Sequence, residues 1–168
     1  INMDLFVEGA NAIPGYGESI RCRHYGYAPG GKGSNQALAV AKQGADVVFV
    51  GCIGDDENGK QVKASLDKAG VNTDYLVIDP ETQTGLALML LDDRTGRYVS
   101  YVAMGGNDRL SPDAVRKAMD ENEFVMVVMQ LEMPLETVYQ TYELAREKGI
   151  PVFLDAGPAM KIPLERLK

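Results

Sequence analysis

Residues 29–45 read PGGKGSNQALAVAKQGA, a lysine set among glycines directly before a run of helix-forming residues. Consecutive glycines let the backbone approach a ligand closely and expose N–H groups. Lys32 adds a mobile cation with three donors, and Asn35 adds an amide that both donates and accepts. Gly31, Lys32 and Asn35 together suit a small polyhydroxyl or anionic ligand. A GGKG stretch by itself is equally a glycine turn with a solvated lysine, so other polar groups must decide. Asn2 and Asp4 share one face of the strand INMDLFV, whose other face carries Ile1, Met3, Leu5 and Val7. Period-two spacing puts the two polar side chains roughly 7 Å apart, about the span of a sugar ring. An ordinary solvent face would show the same alternation. Glu132 stands just past the carboxyl end of the apolar run 124–129, where open α/β sheets place ligand groups. It also stands near a helix start at Pro134, where the dipole favours an anion.

Two phosphate-binding motifs come near the glycine stretch and fail. G-x-x-x-x-G-K-[ST] runs from Gly26 to Lys32 and then demands a hydroxyl, but Gly33 occupies that place and Ser34 comes one residue late. The preceding ESIRCRHY is polar, whereas a P-loop strand is normally buried. GGKGSN lacks the G-x-G-x-x-G spacing, and a lysine in that tight turn would crowd a pyrophosphate.

The elements that must position these groups follow from periodicity and punctuation. Strands are expected at INMDLFV, at 19–25, and over the near-continuous apolar run ADVVFVGCIG, the mark of burial on both faces. TDYLVID, a hairpin of GLALMLLD and RYVSYVA, a buried EFVMVVMQ and IPVFLD complete the set. Helices are expected from an Ser34 N-cap to Gln43, from Asp55 or Asp56 to Gly70, from a capping Ser111 with Pro112 at the first position, and over 134–149. From residue 46 onward strands alternate with helices. That order predicts a mostly parallel sheet with helices on both faces. The hairpin and the polar strand at 19–25 break the alternation and suggest a small β appendage.

Composition narrows the function classes. At 168 residues the chain can bury a real core, and its 45% hydrophobic and 24% charged residues are those of an ordinary globular protein. A net charge of −7 argues against nucleic acid or a membrane surface as partner. No apolar run approaches the roughly 18 residues of a membrane span, and no signal peptide is visible. Cys22 and Cys52 lack metal-ligand spacing and read as reduced thiols of a cytoplasmic protein. The chain starts with Ile in mid-strand and stops at PLERLK after a strand and a turn. It is expected to be a piece of a longer protein, incomplete at both ends.

INMDL, PGGKGSNQA and MQLEMPLETV, in this order and at these distances, resemble the ribokinase branch of the phosphofructokinase-B family of carbohydrate kinases. GDDENG, TGLALML, GGND and LDAGPA extend the resemblance over the whole chain. It implies a ribokinase-like three-layer αβα fold, with residues 1–168 the N-terminal part of one domain. It also implies a β-sheet lid from strands near 5–8, 19–25, 84–91 and 98–103, which would form a homodimer interface. Carried over residue by residue, Asn2, Asp4, Gly31, Lys32, Asn35 and Glu132 would bind ribose or a similar small sugar. A carboxylate such as Asp4 can accept from two vicinal hydroxyls. The implied reaction moves the γ-phosphate of ATP to the primary hydroxyl of the sugar, with Mg2+ and room for a monovalent cation such as K+. The catalytic aspartate of the G-A-G-D signature and the N-x-x-E segment have no counterpart here, so the base is expected beyond Lys168 and the 168-residue chain alone is expected to be inactive. Asp155 departs from the Asn usual at its place. A family kinase acting on another sugar, a sugar phosphate or a nucleoside is the first alternative. A non-catalytic sugar-binding module is the second.

Overall fold

The computed structural model describes residues 1–10 and 12–167. The chain opens with β1 (Asn2–Ala10) and β2 (His24–Gly30), followed by α1 (Lys32–Lys42), β3 (Gly51–Gly54) and α2 (Glu57–Lys68). It continues through β4 (Leu76–Asp79) and the hairpin β5 (Gly85–Asp92) and β6 (Arg97–Ala103). A 3-10 turn at Gly105–Arg109 leads to α3 (Pro112–Glu121), β7 (Val127–Met129), α4 (Leu135–Glu147) and β8 (Val152–Leu154).

β1 is the spine of a four-stranded sheet of order β2-β1-β5-β6. It pairs antiparallel with β2 and parallel with β5, and β5 pairs antiparallel with β6. Two parallel pairs, β3 with β4 and β7 with β8, complete the α/β architecture. The inner end of β1 is anchored in the main core. Ile1 and the fully buried Met3 pack with Ala37 of α1, Phe49, Ile53 of β3, Val62 and Leu66 of α2, and Leu76 of β4. Burying a side chain the size of Met3 contributes about 1.5–3 kcal/mol. A second cluster joins α3 and α4 through Val115, Met119, Leu144 and Ala145.

Several expectations shift. The strand predicted at 19–25 lies instead at 24–30. Its ladder with β1 runs from Asn2 opposite Gly30 to Glu8 opposite His24. The ladder ends there, although the Arg23 N–H still donates to Glu8 O at 3.0 Å. Gly26, Pro29 and Gly30 read as loop residues, yet β2 is a sheet edge, where a proline costs no ladder bond. The other three strands expected of the lid fall within or beside Asn2–Ala10, Gly85–Asp92 and Arg97–Ala103.

α1 begins at Lys32, with Gly31 as N-cap, rather than after Ser34. The Ser34 hydroxyl turns back and donates to the carbonyls of Gly30 and Gly31. Ser111 precedes α3 without a side-chain capping bond, although Pro112 does take the first turn. Asp56 does cap α2, accepting from the Gly59 N–H at 2.7 Å. The stretch 123–130 is not buried throughout: Val125 is 92% exposed and Val128 is also exposed. Among the described residues β7 pairs with β8 alone.

Candidate functional site

The register of the four-stranded sheet decides what surrounds the polar pair. Asn2 lies between Gly30 and Gly85, and Asp4 lies between Ala28 and Ala87. Four of the smallest residues therefore flank the two polar side chains and give them room to lie close over the sheet. Next along the same face Phe6 lies between Gly26 and Met89. The Phe6 and His24 rings sit 6.2 Å apart. This floor of small residues with an apolar margin escapes a reading of single strands, because it exists only once three strands are in register.

The glycine stretch closes over the inner end of β1. Gly31 has φ of 92°, and a Cβ there would fall 2.8 Å from the Asn2 nitrogen. Only glycine permits both the left-handed turn and this approach. A Cβ at Gly30 would overlap the Asp4 carboxylate, which lies across that glycine. The turn delivers the first residue of α1 to Glu132. The Lys32 N–H donates to Glu132 Oε2 at 2.9 Å, and Lys32 Nζ stands 3.5 Å from Glu132 Oε1. The helix start expected beside Glu132 is that at Pro134; the carboxylate instead serves the N-terminus of α1, where free N–H groups and the dipole favour an anion.

Asp4, Lys32 and Glu132 share one electrostatic neighbourhood. Burial first, then the Glu132 charge, push the Asp4 carboxyl above its ordinary range, offset in part by the Ile1 amino group and Lys32. A half-buried carboxylate repelled by a neighbour is a strong acceptor in need of donors. Asn2 is buried at 2% exposure, with Oδ1 accepting from Asn107 Nδ2 at 2.9 Å. The structure thus brings together Asn2, Asp4, Gly31, Lys32 and Glu132. Asn35 stands apart from them in its bonding: it is exposed in the first turn of α1, held through its backbone N–H to Gly31 O.

A polar bridge that spacing alone does not reveal holds α1 to the strand ends. Gln130, directly after β7 and 6% exposed, donates through Nε2 to Gln36 Oε1. Gln36 Nε2 donates in turn to Asp155 Oδ2 at 2.7 Å, just past β8. Asp155, the position that departs from the family pattern, acts here as the acceptor that ends this chain. The Lys32 stem lies beside Gly157, where a Cβ would meet Lys32 Cε at 3.1 Å. Among the described residues no group of three or more His, Cys, Asp or Glu could hold a metal ion, so none is assigned as a metal ligand.

Residues 1–167 match the pfkB family carbohydrate kinase pattern. The chain belongs to the pfkB family. It is 35% identical over 167 residues to a ribokinase of Bacillus subtilis (strain 168), covering 99% of this chain and 56% of that protein. A deoxyribokinase of Salmonella typhi is 33% identical over 161 residues, covering 95% of this chain and 52% of that protein. The Arabidopsis thaliana ribokinase complexed with ribose and ATP superimposes with a TM-score of 0.81 at 31% identity, over 99% of this chain and 54% of that one. The pfkB chain therefore spans about half the length of the curated relatives it matches, and its α/β fold is the ribokinase-like one. No helix among the described residues is long and apolar enough to cross a membrane. Cys22 is an exposed free thiol and Cys52 a buried one.

Proposed function

We propose that this chain carries the sugar-binding face of an ATP-dependent kinase whose acceptor is ribose or a similar pentose. The observation that carries the reading is the register that sets Asn2 and Asp4 on a floor of Gly30, Gly85, Ala28 and Ala87, with Glu132 and Lys32 at its inner end. Asp4 accepts two hydroxyls of the sugar, Asn2 donates from its free amide nitrogen, and Lys32 and Glu132 bound the ring. Asn35 turns its amide toward the ligand when the sugar is bound. None of the described residues is assigned as catalytic base or as an ATP contact. Phosphoryl transfer draws on positioning and on neutralising the charge of the γ-phosphate. The contribution of this face is positioning: it fixes the ring so that the primary hydroxyl points at the phosphate. ATP supplies the phosphoryl group and Mg2+ neutralises it in the whole protein, with K+ a candidate activator.

The four-stranded sheet serves as a lid whose second face is a homodimer interface. Two rows cross that face: Tyr27, Leu5, Leu88 and Tyr101, then Tyr25, Val7, Leu90 and Val99. Tyr101 is 72% exposed and Tyr25 65%, and a recess of about 390 Å³ opens between Leu5, Val7 and the two β2 tyrosines. An aromatic surface of this kind marks an interaction site.

A coupled assay of the full-length gene product against ribose, 2-deoxyribose, fructose, fructose 6-phosphate and adenosine tests the reading. Turnover selective for a free pentose is expected. A strict requirement for a sugar phosphate or a nucleoside would overturn the acceptor. Sugar binding without turnover on any of them would favour the non-catalytic module.

A further inference from the structure

Asn107 lies outside the residues assigned to the ligand, yet it is the most heavily bonded polar side chain beside them. It is 4% exposed, in the 3-10 turn that follows β6. Its two Nδ2 hydrogens are shared among Asn2 Oδ1 at 2.9 Å, Ile1 O at 3.0 Å and Met104 O at 2.8 Å. Its Oδ1 accepts from the Ile1 nitrogen at 2.7 Å. The space for this pair comes from Gly85, where a Cβ would run into both Asn2 Oδ1 and Asn107 Nδ2. Gly105 packs equally closely, with a Cβ there falling 2.9 Å from the Gly85 nitrogen. Asn107 therefore ties the inner end of β1 to the root of the β5–β6 hairpin.

An asparagine amide has an acceptor end and a donor end that are nearly equal in shape, so a free Asn2 can present either one. A bond from Asn107 Nδ2 to Asn2 Oδ1 removes that freedom. It commits the oxygen to Asn107 and leaves the Asn2 Nδ2 hydrogens for another acceptor. We infer that Asn107 is a positioning residue for the acceptor sugar: it selects the donor orientation of Asn2 and couples it to the root of the lid. This rests on the sugar-site reading above.

A double-mutant cycle tests it on the full-length gene product, by calorimetric titration with ribose and 2-deoxyribose. Losing a positioned hydrogen bond from Asn2 is expected to weaken sugar binding about tenfold in Asn2→Ala. Asn107→Ala is expected to weaken it similarly, and the double variant no further than Asn2→Ala alone. The isosteric Asn107→Asp keeps the shape but presents an oxygen to Asn2 Oδ1, and is expected to bind sugar at least as weakly as Asn107→Ala. KM for ATP stays unchanged in all of them. A merely structural Asn107 would lower the melting temperature, and its effect on binding would multiply with that of Asn2→Ala. Multiplying effects, or an Asn107→Asp protein that binds sugar like the wild type, would overturn the inference while leaving the sugar site standing. Wild-type protein that binds neither sugar would overturn the site reading and this inference with it.

Discussion

At the residue scale, the half-buried charge of Asp4 comes at a cost to the fold. Its carboxyl is held above the ordinary range, by burial and then by Glu132. A carboxyl raised in the folded state stabilises the fold while protonated. That contribution is complete below the unfolded value near 3.9 and is lost as pH rises through the folded-state value. Ionised Asp4 therefore weighs against the fold at neutral pH, and Asp4→Asn is expected to melt higher than wild type at about pH 7, with the gap closing toward about pH 4. Equal melting temperatures at both pH values would contradict this electrostatic account. A site that gives up stability for function is expected where like charges share a half-buried surface. The types and spacing of Asn2, Asp4, Gly31, Lys32 and Glu132 were legible from strand period and glycine chemistry. Asn107, Gln36, Gln130 and Asp155 were not, because their partners lie 94 to 119 residues away and no local pattern encodes them.

At the element scale, Asp56 connects three elements through one carboxylate. It accepts from the Gly59 N–H in the first turn of α2, from the Thr84 N–H at 2.8 Å and from the Thr84 hydroxyl at 2.7 Å. Thr84 in turn accepts from the Gly54 N–H at the end of β3 at 3.0 Å. This knot fixes the start of β5, and with it Gly85 beneath Asn2. Burial pushes the Asp56 carboxyl up, but the bonds from Thr84 and Gly59 together outweigh it and hold the group below its ordinary range. Loss of an N-cap costs about 1–2 kcal/mol, and stranding Thr84 is expected to bring Asp56→Ala to about 3 kcal/mol by urea denaturation at neutral pH. Because the folded-state value is depressed, the stabilisation is present above the unfolded pKa and is lost as pH falls through the folded one, so the difference from wild type should shrink in acid. A cost under about 0.5 kcal/mol would show that the knot is incidental. The Asp56 start was readable as an Asp before a helical period. β2 was not, because its glycines and proline signal a turn until an edge position makes them tolerable.

At the scale of the whole molecule, the alternation of strands and helices made the α/β class readable, and the hairpin was readable as its exception. Strand period alone does not show that the exceptional strands join β1 in a single sheet; the family resemblance carried that expectation. That sheet has a polar small-residue face on one side and two tyrosine-bearing rows on the other. If the second face is a dimer interface, Tyr27→Glu and Tyr101→Glu, which lie in one row across it, are expected to halve the mass seen by light scattering. Unchanged mass in both variants, or a monomeric wild type, would remove the interface from that face. The sugar face should keep its affinity in either case unless the lid needs its partner to close.

The central claim is that the β1 carboxylate over Gly30 holds the acceptor sugar, and titrating ribose into wild-type and Asp4→Ala full-length gene product tests it most directly. Hydrogen bonds to a charged acceptor contribute about 1.5–3 kcal/mol, so saturable binding that weakens by roughly 10- to 100-fold in Asp4→Ala is the expected result. Ribose binding of equal strength in the two proteins would contradict the assignment of the site.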